Sequence, residues 1–179
     1  MHTKEELYSN KIFFNAALPL VKVIANDVPS LKKQFAKVHA IIQVTADDPD
    51  AEGGKVGMHY VVNGDEWLVH LNKVDPNPHV ELEFKSVEAM NAFFKGKISP
   101  ATLPKMHGVL KNFGAFKAFL MTLLKMSSLL SATEPPKDDE TKELMVKCFF
   151  YLLSSGISQL NKMGHEDIHD WTSKSPDRV

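Results

Sequence analysis

Two histidines near the end of the chain have a spacing that is typical of a catalytic zinc site. Residues 165–169 are His-Glu-Asp-Ile-His, and the pattern H-E-x-x-H places two zinc-binding histidines on one helical face, with the glutamate acting on a metal-bound water. However, Gly164 is a predicted helix stop just before the pattern, and only Asp170 and Asp177 follow it as carboxylates. We therefore interpret this match as a coincidence in a solvated tail, and no metal site is predicted.

Three further histidines lie on the polar face of predicted strands, namely His39, His59 and His70. If Gly64-Asp65 forms the hairpin loop between two of these strands, His59 lies directly opposite His70, whereas an Asn63-Gly64 loop shifts the pairing by two residues. Three imidazoles from neighbouring strands could bind zinc. Histidine is also an ordinary residue on a solvated strand face, so the zinc site is kept only as an alternative.

The chain offers no arrangement of a nucleophile beside a base. Cys148, the single cysteine, lies in an apolar predicted helix, which favours a packing role and excludes an internal disulfide. Gly53-Gly54-Lys55 could suggest a phosphate loop, but a predicted strand follows it, so it is interpreted as a tight connection. The sequence thus predicts a protein that is not an enzyme and needs no cofactor.

Hydrophobic periodicity predicts the elements that surround these residues. Thr3 and Glu6 form a capping box for an N-terminal helix that Pro19 should split, and a second short helix should follow Pro29. Alternation then predicts four strands, each with one buried and one solvated face. They lie at residues 38–45, 56–62, 67–71 and 80–84. After them come a helix capped by Ser86 and ended by Gly96, a short strand at 108–112, and helices at 114–130 and from 138 to about 163.

The predicted helix at 114–130 is apolar almost all round, since Lys117 and Lys125 are its only charged residues. Such a helix must be covered on several sides or must line a cavity. The simplest explanation places it between the sheet and the last helix without a cavity. The 11 Phe and 8 Met of the chain favour an adaptable apolar pocket instead, because flexible Met side chains pack well beside rigid rings.

Composition narrows the classes of partner and location. A net charge of -1 without a basic stripe argues against nucleic acid. The longest uncharged apolar run, 148–161, is too short for stable insertion into a membrane, and Glu5 and Glu6 do not fit a signal peptide. The expected location is cytoplasmic.

Between Val28 and Leu130, the order of elements and several short motifs resemble the sterol carrier protein domain family. The clearest stretches are Val-Glu-Leu-Glu-Phe at 80–84 and Ala-Met-Asn-Ala-Phe-Phe-Lys-Gly-Lys at 89–97. Pro100, then Gly-Val-Leu-Lys at 108–111, and Gly114 follow at the family's spacing. The resemblance implies an α+β fold with a five-stranded, mainly antiparallel sheet and helices packed on one face.

The resemblance also implies a tunnel between sheet and helices that takes a sterol, fatty acid, acyl or isoprenoid chain. By the same resemblance, ten apolar residues of this chain should line the tunnel. They are Phe84, Phe93, Phe94, Leu103, Met106, Phe113, Phe116, Phe119, Leu120 and Leu123.

We expect residues 1–179 to form a single domain with a core at about 28–131. Extra helices at 1–27 and 138–164 could fill the tunnel, cover it or form a homodimer contact. The predicted function is non-catalytic binding or transfer of an apolar small molecule or lipid. The alternative is an accessory module without a ligand of its own, acting as a homodimer or as the partner of a lipid or quinone pathway enzyme.

Overall fold

The computed structural model describes residues 17–94, 96–130, 132, 134 and 136–154. In chain order the elements are α1 (Leu20–Asp27), α2 (Pro29–Phe35), β1 (His39–Asp47), β2 (Lys55–Asn63), β3 (Glu66–His70), β4 (Val80–Phe84), α3 (Val87–Phe94), β5 (Lys105–His107) and α4 (Phe113–Leu130). A short 3₁₀ turn, Glu52–Gly54, joins β1 to β2. Residues 139–154, called segment 139–154 below, are also helical.

The five strands form one sheet in the order β3-β2-β1-β4-β5. The β1–β4 pair is parallel and the other three pairs are antiparallel. The α+β class and the mainly antiparallel sheet are therefore confirmed. Asn63 pairs with Glu66, so Gly64-Asp65 is the hairpin loop, and Gly64 takes the positive φ of 63° that such a turn requires.

Helices pack on the face of the sheet that carries Ile42, Val44 and Tyr60, all fully buried. Tyr60 donates a hydrogen bond from its hydroxyl to the Leu18 carbonyl at 2.5 Å. Helix α4 packs against α1, α2 and β1, whereas α3 packs against β1 and β4. Each large aliphatic side chain buried in this way contributes about 1.5–3 kcal/mol, so this layer holds the domain together.

The predicted solvated face of the sheet is wrong in its central part. Gln43, Thr45 and His59 lie on that face and are buried, because the connection from β3 to β4 folds back across it. The Gln43 side chain accepts a hydrogen bond from the Asp75 amide at 2.6 Å, and Thr45 donates to Glu81 at 2.8 Å. Alternation identified the two faces of the strands, but it could not show that a loop covers the polar one.

The predicted strand at 108–112 is also wrong, since the fifth strand lies earlier, at Lys105–His107. Gly108 has a φ of 74°, which ends the extended backbone. Asn112 then donates from Nδ2 to the His79 carbonyl at 2.9 Å. Residues 108–112 are therefore a turn that is fixed against the start of β4.

The predicted helix boundaries agree with the structure where it describes them. Pro19 directly precedes α1, and the amide of Ala89 donates to Ser86 Oγ at 3.1 Å at the start of α3. Asp138 accepts a hydrogen bond from the Thr141 amide at 2.7 Å just before segment 139–154. The capping box at Thr3, the end of the last helix and the H-E-x-x-H run lie outside the described residues. In the part of the chain that the structure describes, no helix is long and apolar enough to cross a membrane.

Candidate functional site

Three phenylalanine rings meet where β4 turns into α3. The ring centroids of Phe93 and Phe94 lie 5.4 and 5.7 Å from that of Phe84, and 5.4 Å from each other. Phe84 is fully buried, whereas Phe93 and Phe94 are half-buried. The two-residue turn capped by Ser86 folds α3 back onto the end of β4, so the rings are brought together by local chain geometry.

The helix-covered face of the sheet continues to β5, where the described helices cover it less completely. Met106 of β5 pairs directly with Leu82 of β4, and directly opposite residues of an antiparallel pair project to the same face. Leu82 is 3% exposed, whereas Met106 is 53% exposed. The apolar core face of the sheet is therefore open to solvent along its β5 edge.

Helix α4 has one apolar flank that lies between its buried arc and solvent. Phe119 and Leu123 are buried, and the Phe119 ring lies 5.7 Å from that of Tyr60 on β2. Phe116 and Leu120 are half-buried, and Phe113 is exposed. Since these three residues are spaced i, i+3 and i+7, they follow one side of the helix over two turns.

We call the half-buried and exposed members of these three groups the apolar rim. It consists of Phe93, Phe94, Met106, Phe113, Phe116 and Leu120. Of the other four residues predicted for a tunnel wall, Phe84, Phe119 and Leu123 are buried in the core and Leu103 is exposed. On α4 the buried pair Phe119 and Leu123 and the half-buried pair Phe116 and Leu120 occupy adjacent sides of the helix, because each residue advances by about 100°.

Two grooves border α1. One, of about 600 Å³, has Asp27, Lys125 and Lys147 in its lining. The other, of about 510 Å³, is lined by Lys22 and further residues of α1, by Val69 of β3, and by Leu71 and Tyr151. Among the described residues that line the two grooves, none belongs to the ten predicted positions. Segment 139–154 borders both grooves, and its Lys147 lies 3.4 Å from the Asp27 carboxylate of α1.

The structure does not bring the three strand histidines together. His59 and His70 face each other as predicted for the Gly64-Asp65 loop, with ring centroids 4.6 Å apart. His39 instead pairs with Asn63, four residues along β2 from His59, which is roughly 13 Å away at about 3.3 Å per residue. His59 Nδ1 also lies 2.8 Å from the Lys73 carbonyl. The described residues contain no group of three metal-binding side chains.

Titratable groups near the β5 edge and in the last segment have perturbed pKa values with clear causes. Hydrogen bonds from Lys55 and from His107, the latter at 2.7 Å, lower the pKa of Glu83 to about 2. Cys148 is buried in the core, as its predicted packing role requires, and this burial raises its pKa to about 11. Glu83 is thus held as a paired carboxylate and Cys148 as a neutral thiol.

Comparison with known proteins gave structural matches only. No family model and no curated protein matches the chain. The crystal structure of sterol carrier protein 2 is similar with a TM-score of 0.49 and 11% identity, over 64% of this chain and 95% of that one. The solution structure of a conserved hypothetical protein from Thermus thermophilus, for which a sterol carrier protein was suggested, gives a TM-score of 0.42 and 11% identity over 77% and 94%.

Proposed function

We propose that this protein binds or transfers a long apolar ligand at the apolar rim, without catalysis and in the cytoplasm. The observation that carries the proposal is the abrupt change in exposure between Leu82 and Met106, which are paired on the same face of the sheet. A ligand lying along β5 would complete the cover that α3 and α4 provide over the rest of this face. The buried residues Phe84, Phe119 and Leu123 would form the floor of the site.

Burial alone can supply the affinity. Each methylene removed from water contributes about 0.8 kcal/mol, so about ten buried methylenes yield about 8 kcal/mol before the entropic cost of binding. This corresponds to a dissociation constant in the micromolar range at best. Fatty acids, acyl or isoprenoid chains and sterols all meet this requirement, and the apolar rim contains no charged group that would select among them.

A direct test measures the affinity of the full chain for a fluorescent fatty acid below its micellar concentration. The double variant Met106→Ser/Phe113→Ser removes two exposed apolar side chains of the rim, and we expect it to bind about tenfold or more weakly, equivalent to about 1.4 kcal/mol. The matched control is Leu68→Ser, since Leu68 is 63% exposed on β3 at the opposite edge. Unchanged affinity in the double variant, or an equal loss in the control, would contradict the proposed site.

Native mass spectrometry of the freshly purified protein provides a second measurement. One co-purified lipid per chain would support the carrier function. A protein that neither retains lipid nor binds the fluorescent fatty acid would contradict it.

One observation favours the alternative of an interaction module. Segment 139–154 presents an exposed apolar row with the spacing of a helix-packing stripe. Its members are Val146, Phe149, Phe150 and Leu153. A homodimer through this row would appear as twice the chain mass in light scattering. The variant Phe149→Ser/Phe150→Ser should then restore the monomer mass, whereas Leu68→Ser should not.

A further inference from the structure

Charge is distributed unevenly along this chain, which its net value of -1 conceals. Between Glu88 and Glu134 the sequence has no acidic residue, although it has 22 in all. The same stretch contains six lysines. Of the five that the structure describes, those at 97, 105, 111 and 117 are exposed. The overall charge therefore does not describe this part of the chain, where basic residues are in excess.

Exposed apolar side chains alternate with these lysines in the segment from Lys97 to Lys117, which we call the basic–apolar segment. They are Ile98, Leu103, Met106, Leu110 and Phe113. Leu110 is 96% exposed, so folding buries almost none of its apolar surface. A surface that combines lysines with exposed aliphatic and aromatic side chains matches the chemistry of a bilayer interface with anionic headgroups.

The basic–apolar segment is held in place by specific hydrogen bonds. Thr102 Oγ1 donates to the Lys97 carbonyl at 2.7 Å and accepts from the Ser99 amide at 2.9 Å. The turn carrying Leu110 is closed by the Asn112 amide, which donates to the Gly108 carbonyl at 3.1 Å. The outward position of Leu110 is therefore built into the fold.

Acidic side chains on the adjacent strand do not cancel the positive charge of this surface. Glu83 accepts hydrogen bonds from Lys55 and His107, and Glu81 accepts from Gln43 and Thr45. Both carboxylates belong to the sheet face opposite Met106, as does Lys105, which pairs with Glu83. Within the described part of the chain, Lys97, Lys111 and Lys117 have no carboxylate partner, so they can contact an anionic partner.

We propose that the basic–apolar segment docks the protein onto the surface of a bilayer that contains anionic phospholipids. Leu110 and Ile98 enter the headgroup region while the lysines contact phosphates, and no helix spans the membrane. Nucleic acid would use the lysines but would leave the exposed aliphatic side chains in water. The apolar rim and the segment share Met106 and Phe113, but the proposal does not depend on ligand binding, since its test uses Leu110, Lys111 and Lys117, which lie outside the rim.

Vesicle flotation of the full chain tests this proposal. We expect the protein to float with vesicles of equal parts phosphatidylcholine and phosphatidylserine, to stay behind with phosphatidylcholine alone, and to be released by high salt. A lysine near an anionic surface contributes about 1 kcal/mol to binding, which corresponds to about a fivefold change in affinity. Lys111→Gln/Lys117→Gln should therefore weaken binding about 25-fold by the same principle, and Leu110→Ser should weaken it as well.

Controls make the same chemical changes elsewhere on the surface. Lys32→Gln/Lys33→Gln removes two exposed lysines of α2, and Leu68→Ser removes the exposed leucine of β3. These variants should bind vesicles like the parent. The proposal is overturned if the parent fails to float, if it binds both vesicle types equally, or if the lysine pair of α2 matters as much as the pair at 111 and 117. Binding of nucleic acid in place of vesicles would overturn it as well.

Discussion

Gly108 fixes the turn between β5 and α4 against the residue that precedes β4. Its φ is 74°, and a Cβ added there would lie 1.9 Å from the His79 carbonyl oxygen and 2.9 Å from the carbonyl carbon. Replacing Gly108 by alanine therefore meets two separate costs. One is a left-handed backbone conformation with a side chain, and the other is a collision with backbone that cannot rotate away.

The magnitude follows from these two costs. A left-handed conformation costs a residue with a Cβ about 1–2 kcal/mol. Relieving the collision requires the turn to move away from His79, which breaks the bond from Asn112 and loosens the adjacent end of the β4–β5 pair, at about 1 kcal/mol for each bond lost. We expect Gly108→Ala to lower the free energy of unfolding by about 3–4 kcal/mol, or Tm by roughly 6–16 °C for a domain of this size.

Urea unfolding followed by circular dichroism measures the change, and two glycines separate its causes. Gly96 has a φ of 80° with nothing within 4 Å of an added Cβ, so Gly96→Ala should show only the conformational cost. Gly114 lies in the first turn of α4 and is equally open, so Gly114→Ala should stabilise slightly through helix propensity. If Gly108→Ala and Gly96→Ala lose the same amount, there is no collision and the reasoning is refuted.

Three further perturbations have definite expected outcomes. Glu83→Gln should lower the free energy of unfolding by about 1–2 kcal/mol at neutral pH. Because pairing lowers the pKa of Glu83 from 4.5 to about 2, the full difference in free energy should be present above pH 4.5 and should vanish as the pH falls towards 2. The urea unfolding curves of parent and variant should therefore converge in acid. Tyr60→Phe removes the buried hydrogen bond to Leu18 and should cost about 1 kcal/mol in the same assay, with fatty-acid affinity unchanged. Since burial raises the pKa of Cys148 to about 11, iodoacetamide should alkylate the folded protein at least about 100-fold more slowly than the unfolded chain at mildly alkaline pH, and equal rates would show that this thiol is not buried.

Local sequence signals determined most of the elements of this protein. Alternation located the first four strands because a half-buried strand repeats every two residues. Pro19, Pro29 and Ser86 marked helix starts, since proline fits the start of a helix but not its interior, and a serine hydroxyl accepts from a free amide of the first turn. Such signals depend on backbone chemistry within a few residues, so they can be interpreted without knowledge of the tertiary structure.

Tertiary structure decided which surfaces are covered. Gln43 and His59 have the alternation of a solvated face, yet a distant loop buries them. Phe119 and Phe113 belong to one apolar helix, but the first is in the core and the second is exposed. Periodicity gives the direction of each side chain relative to its own element. Whether another element lies in that direction depends on how the rest of the chain folds. That tertiary arrangement buries one side of α4, leaves the side that belongs to the apolar rim partly exposed, and leaves Met106 and Leu110 in contact with water.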